Sequence, residues 1–275
     1  MKEFFHYFFG AGETVEFENF TLAHFLPIII ATAVIFLIYR YRNEIRASKH
    51  EEKIRYALAF IMIISEMSYF WRLVGVPSLN PNPVDHLPIT VCGWSIVFCS
   101  YLVIGKSQTL FDISYFWLFA GTIFALITPS AVLSFTGPTR YRYYQFWIEH
   151  TFGYISIFYM MFVHKMRPTI KSAVKSYCAL AFLAIIAYNA NMILGPGANY
   201  LFMARPESGP SILDILPPVF ALRITIMASA ITVLFVVAYL PWYFKDRKAK
   251  LAVAAGGTDE AIPDVTNSDA EMASK

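Results

Sequence analysis

Cys92 and His150 are the residues whose types could form a nucleophile and its base, and each falls about a turn and a half inside a long apolar segment. A thiol attacks a carbonyl carbon as its thiolate, so it needs a base or a cation beside it. Imidazole is the side chain best suited to that task near neutral pH. Ionisable groups are costly in hydrocarbon and by default mark function. Cys99 and Cys178 also lie in apolar segments, without CxxC spacing, and read as small hydrophobes. No disulfide framework is expected.

The elements that must carry these residues follow from composition. Of 275 residues, 57% are hydrophobic, 17% aromatic and only 15% charged, which describes an integral membrane protein. Spans need about 20 mostly apolar residues, and seven candidates occur, at about 21–39, 56–75, 87–105, 109–130, 144–164, 176–194 and 216–244. The expected fold is all-α, a seven-helix transmembrane bundle over 21–244. Residues 1–20 read as an interfacial segment with an aromatic anchor from Phe4 to Phe9, and 245–275 as a disordered tail.

Orientation comes from short-loop Lys and Arg. The link after the first span holds Arg40, Arg42, Arg46, Lys49, Lys53 and Arg55, and the fifth-to-sixth link holds Lys165, Arg167, Lys171 and Lys175. Lys245, Arg247, Lys248 and Lys250 follow the seventh span, whereas the opposite links contain only Arg140, Arg142 and Arg205. The amino terminus is therefore expected outside and the carboxyl terminus in the cytoplasm of a multi-pass protein. The net charge of +3 reflects this bias and does not argue for nucleic acid.

Polar groups gather in the outer half. The third span is expected to open with Asp85 as its cap and Pro88 in its first turn, placing Cys92 at the depth of His150. Asn191 falls about one turn before the Gly195-Pro196-Gly197 stop, and Arg223 about two turns past Pro217-Pro218. Ser65, Ser68, Tyr69 and Arg72 repeat at helical spacing with Glu66 beside them; Glu66 with Arg72 or Arg223 reads equally as a buried ion pair holding helices in register or as part of the catalytic groups. Residues 195–214 mix turn formers with Tyr200, Leu201, Phe202 and Met203, and read as a lid or as an interfacial loop. Outward-facing metal donors would be His86, His150, Asp85, Asp214 and Cys92, but no HxxxH or HExxH pair occurs, so no metal or other cofactor is expected.

These residues can be assigned roles in acyl transfer. Cys92 would attack a lipid ester while His150 moves the proton. Asn191 or Asn199 would donate to the oxyanion, an effect worth about 3–4 kcal/mol, and His86 would add polar support. Arg72, Arg205 and Arg223, with Tyr200 and Asp214, would bind the headgroup. The partner would be a membrane phospholipid or lysophospholipid. A small-solute transporter and a non-catalytic lipid-binding protein are the alternatives, although the inner halves lack polar stripes and no internal repeat is visible. Oligomeric state is not legible.

The stretch His86-Leu-Pro-Ile-Thr-Val-Cys92, then Tyr115-Phe-Trp-Leu-Phe-Ala-Gly121 to Thr128-Pro129, His150, Asn191, Gly197-Ala-Asn-Tyr-Leu201, Arg205-Pro206 and Ser211-Ile-Leu-Asp214 resembles the YwaF-like integral membrane proteins, which are similar to eukaryotic transmembrane protein 164. The resemblance implies a seven-helix protein and, from the eukaryotic branch, acyl transfer between phospholipids. It implies a thioester on the third-span cysteine, Cys92, assisted by the histidine at His150.

Overall fold

The computed structural model describes residues 2–10, 16–129, 136–205 and 212–254. Its helices, in chain order, are α1 (Lys2–Phe9), α2 (Leu22–Arg40), α3 (Arg42–Ala47), α4 (Glu51–Gly75), α5 (Val91–Gly105), α6 (Gln108–Trp117), α7 (Ile123–Ile127), α8 (Tyr141–Phe162), α9 (Ile170–Leu194) and α10 (Phe220–Ala254). A π-helical turn, Leu118–Thr122, joins α6 to α7. Among the described residues no strand forms, and one isolated antiparallel bridge links Glu16 to Thr136.

All seven apolar segments have become helices, and five of the resulting rods are long and apolar enough to cross a membrane: α2, α4, Gln108–Ile127, α9 and α10. The exceptions are informative. Helix α8 has 22 residues but carries Arg142, Gln145, Glu149, His150 and Thr151. A helix this polar is shielded from lipid by its neighbours, and its buried residues run from Tyr143 to Met160, with Phe146, Ile157 and Met160 fully enclosed.

The other exception is α5, whose 15 residues span about 22 Å at 1.5 Å each, less than the roughly 30 Å of a hydrocarbon core. Its expected start is corrected here. Asp85 does not cap it but closes a 3₁₀ turn, Pro83–Asp85, capped by Asn82. Pro88 disfavours helix in the residue before it, so the chain stays irregular until Thr90, whose Oγ1 accepts from Gly93 N at 3.0 Å. Cys92 consequently occupies the first turn rather than a deeper one. Irregular backbone near membrane depth must be covered by protein. Tyr200 supplies the cover, accepting from Leu87 N at 3.0 Å and donating to Val84 O.

The ends of the helices opposite this region are stapled by basic side chains. Arg55 donates to the last carbonyls of α5, Val103 O at 2.7 Å and Ile104 O at 2.8 Å, and pairs with Glu51. Arg46 reaches Val163 O and Phe162 O just past α8. Asp112, buried in α6, accepts from Ser172 at 2.7 Å and Lys175 at 3.0 Å on α9. Helix α10 continues to Ala254, ten residues into the expected tail, because Lys245–Lys250 are good helix formers; residues from 255 onward lie outside the described ones.

Candidate functional site

Arg142, Gln145 and Glu149 stand three and four residues apart and therefore share one face of α8. Gln145 joins the other two: its Oε1 accepts from Arg142 Nη1, and its Nε2 donates to Glu149 Oε2 at 2.7 Å. The direct Arg142–Glu149 distance is 3.9 Å. Gln145 Nε2 also reaches Ser65 O on α4 at 3.3 Å, fastening this face to its neighbour. From α4, Tyr69 lies under the Arg142 guanidinium, 4.9 Å from ring centroid to Cζ, and its hydroxyl meets His86 Nδ1 at 2.8 Å. Burial holds the His86 imidazole below the usual histidine range, with Arg142 acting the same way against the opposing Asp85.

Glu66, on α4 within electrostatic reach of Arg142 and Glu149, extends this cluster to the residue beside Cys92. A Cβ placed on Gly93 would lie 3.1 Å from Glu66 Oε1, so the carboxyl rests against the first turn of α5. Only glycine leaves room there. Cys92 itself is half-buried and lies within electrostatic reach of the Tyr154 hydroxyl, which donates to Leu118 O at 2.6 Å in the π turn.

His150 is buried and stacked on Phe146, with ring centroids 4.1 Å apart. Its Nδ1 lies 2.8 Å from Phe146 O. A carbonyl can only accept, so in the neutral ring the proton sits on Nδ1 and the lone pair on Nε2. That Nε2 is buried with no hydrogen-bond partner among the described residues. Its depth relative to Cys92 follows from the helix contacts. Cys99 Sγ is 3.9 Å from Gly153 O, and Ile96 Cδ1 would be 3.8 Å from a Cβ on Gly153. At equal rise along the two parallel helices, Cys92 falls level with 146–149, roughly 2–6 Å along the axis from His150.

The remaining expected residues form a second group around the 195–205 segment. Asn191 both donates to Tyr200 O at 3.1 Å and accepts from Tyr200 N at 2.7 Å. Asn199 Nδ2 donates to Arg205 O at 2.9 Å, while its Oδ1 accepts from Ala204 N and Arg205 N. Arg205 donates to Pro196 O at 2.5 Å and Gly197 O at 2.6 Å. Arg223, fully buried, donates to Phe202 O at 2.8 Å and feels the exposed Asp214. Arg72 Nε donates to Phe9 O at 2.6 Å. Neither Arg72 nor Arg223 pairs with Glu66 within 4 Å among the described residues. The segment thus folds as an anchored cover whose apolar residues Ala198, Tyr200 and Met203 are buried; Pro206 to Ser211 lie outside the described residues. A groove of about 410 Å³ runs beside it, lined by Tyr188, Met192, Met203 and Phe220.

Glu149, Gln145 and Arg142 were not singled out from sequence, although their spacing around His150 was the available signal. Among the described residues no group of three or more His, Cys, Asp or Glu side chains is arranged to hold a metal.

An all-helical bundle with apolar spans around a polar central helix defines a multi-pass integral membrane protein. The model of the TMEM164 family matches residues 19–245, and the chain belongs to that family. Neither curated proteins nor solved structures return a match.

Proposed function

We propose that this protein is a membrane-embedded lipid acyl-transfer enzyme of the YwaF-like branch, with Cys92 as nucleophile and His150 as base. The observation that supports the reading is the His150 ring: Nδ1 is engaged by Phe146 O while Nε2 is buried and without a hydrogen-bond partner among the described residues. A lone pair held in a dry site and fixed by its partner on the other ring nitrogen is what a general base needs.

In the first step Nε2 takes the Cys92 proton and the sulfur attacks the ester carbonyl of a phospholipid. The C–S bond forms, the ester C–O bond breaks, and the imidazolium returns its proton to the departing lysolipid alkoxide. In the second step the hydroxyl of an acceptor lysolipid attacks the thioester, His150 again carrying the proton, and Cys92 is regenerated as the thiol. With water as acceptor the same site hydrolyses. The seven-span arrangement with an outside amino terminus would place this chemistry at the depth of a glycerolipid ester in the outer leaflet. Glu66, Glu149 and Arg142 would supply a polar wall on the headgroup side.

Mass spectrometry of purified protein incubated with phospholipid tests the reading. The expected result is an acyl adduct on Cys92 that hydroxylamine removes, lost in Cys92→Ser and reduced by about 100-fold or more in rate in His150→Gln. An unmodified Cys92 in wild type, or lipid turnover that both variants leave intact, overturns it.

A further inference from the structure

Three guanidiniums converge where α4 ends and α8 begins. Arg72 lies in the last turn of α4, Arg140 immediately precedes α8 and Arg142 is in its first turn. Arg72 is within electrostatic reach of both of the others, and like charges at such range raise one another's energy, offset at Arg142 by Glu149 at 3.9 Å and by Gln145. Arg140 is buried and Arg72 and Arg142 half-buried, so water screens them only in part.

What meets two of them is the carboxyl end of α1. Arg72 Nε donates to Phe9 O at 2.6 Å and its Nη2 to Gly10 O at 3.1 Å. Arg140 donates to Tyr7 O and stacks its guanidinium 3.8 Å over the Tyr7 ring. The last carbonyls of a helix are unsatisfied within it and together carry roughly half a negative charge. They are a weak anion compared with phosphate, which brings full charge and oxygens matched to the guanidinium fork. Beyond these bonds, α1 is held by Tyr7 Oη donating to Thr139 Oγ1 at 3.2 Å and by ring contacts. Phe9 and Phe8 touch Tyr141 at centroid distances of 5.0 and 6.2 Å, while Phe4 and Phe5 are 63% and 54% exposed. An aromatic face of this kind suits a helix lying in the bilayer interface, so α1 can leave the arginines without entering water.

We propose that Arg72, Arg140 and Arg142 form a phosphate site, and that the carboxyl-terminal turn of α1 occupies it in this structure as an internal stand-in for the anion. The ligand is the phosphate of a phospholipid headgroup, or phosphate itself, and α1 is the lid it displaces. As a headgroup site for the substrate it rests on the acyl-transfer reading, but binding can be measured without turnover.

Native mass spectrometry of the full-length protein in detergent is the test, with dioleoylphosphatidate as probe and dioleoylglycerol as its phosphate-free control. Phosphatidate should be retained at least about tenfold better than dioleoylglycerol. Arg72→Gln with Arg140→Gln should lower that retention about tenfold. Phe8→Ala with Phe9→Ala keeps every arginine and loosens only the competitor, so retention should rise several-fold. Displacement by millimolar inorganic phosphate would identify the free anion as the ligand, and resistance to it the lipid; both support the site. Retention that is equal for the two lipids overturns the proposal, as does retention that falls or stays level in the Phe8/Phe9 variant. Binding needs no turnover, so absence of an acyl adduct on wild-type Cys92 with phosphatidate retention intact removes the acyl-transfer reading alone.

Discussion

The Glu66 carboxyl lies against Gly93, 3.1 Å from where a Cβ would stand, and this contact joins the polar cluster to the turn that carries Cys92. The same Cβ would approach Thr90 Oγ1 to 2.9 Å, and that oxygen is the cap of α5.

Gly93→Ala should therefore act through the cap. Loss of the Thr90 bond costs about 1 kcal/mol, and the thermal midpoint in detergent should fall accordingly. Thr90→Ala should cost a similar amount, and the double variant little more than either, because both remove one interaction. Strict additivity of the two losses would show that the steric contact does not run through Thr90.

His86 gives a pH dependence whose sign is fixed by its burial. The folded imidazole titrates below its ordinary value of 6.5. Between the two values the unfolded chain binds the extra proton, so stability rises with pH there. The contribution is complete above about pH 6.5 and is lost as pH falls through the folded value. Midpoints at pH 7.5 and 5.5 should separate more in wild type than in His86→Gln. A separation unchanged by the substitution would assign the dependence to other groups.

Asp112 is 2% exposed and accepts from Gln108, Ser172 and Lys175. Asp112→Ala leaves those donors unmet and should cost about 2–4 kcal/mol, seen as earlier unfolding in a denaturant titration. Asp112→Asn, which keeps an acceptor oxygen, should recover part of the loss. Cys92 acylation should survive at temperatures where the variant remains folded, since α6 and α9 meet here at the end of the bundle away from Cys92.

Much of the scaffold was legible because burying apolar side chains in lipid leaves helices as the form that satisfies its own backbone. The segments around 21–39, 56–75, 176–194 and 216–244 needed no tertiary information, and each lies within or along a single rod. The beginning of α5 was legible only in part. Asp85-His86-Leu87-Pro88 carries several start signals, and choosing Thr90 over Asp85 depended on Tyr200, 113 residues beyond Leu87, covering the irregular stretch.

The sequence by itself determined the membrane class, the helices and the presence of a thiol and an imidazole in apolar surroundings. Each follows from local composition and a period of 3.6 residues. Tertiary structure decided which polar groups meet. Arg72 meets the end of α1, Asn191 and Asn199 bond within the 195–205 segment, and Glu66 lies against Gly93 rather than pairing with Arg72 or Arg223. Helical spacing fixes the face a side chain occupies, but its hydrogen-bond partner depends on rotation and register between helices, which are set by packing among segments far apart in the chain.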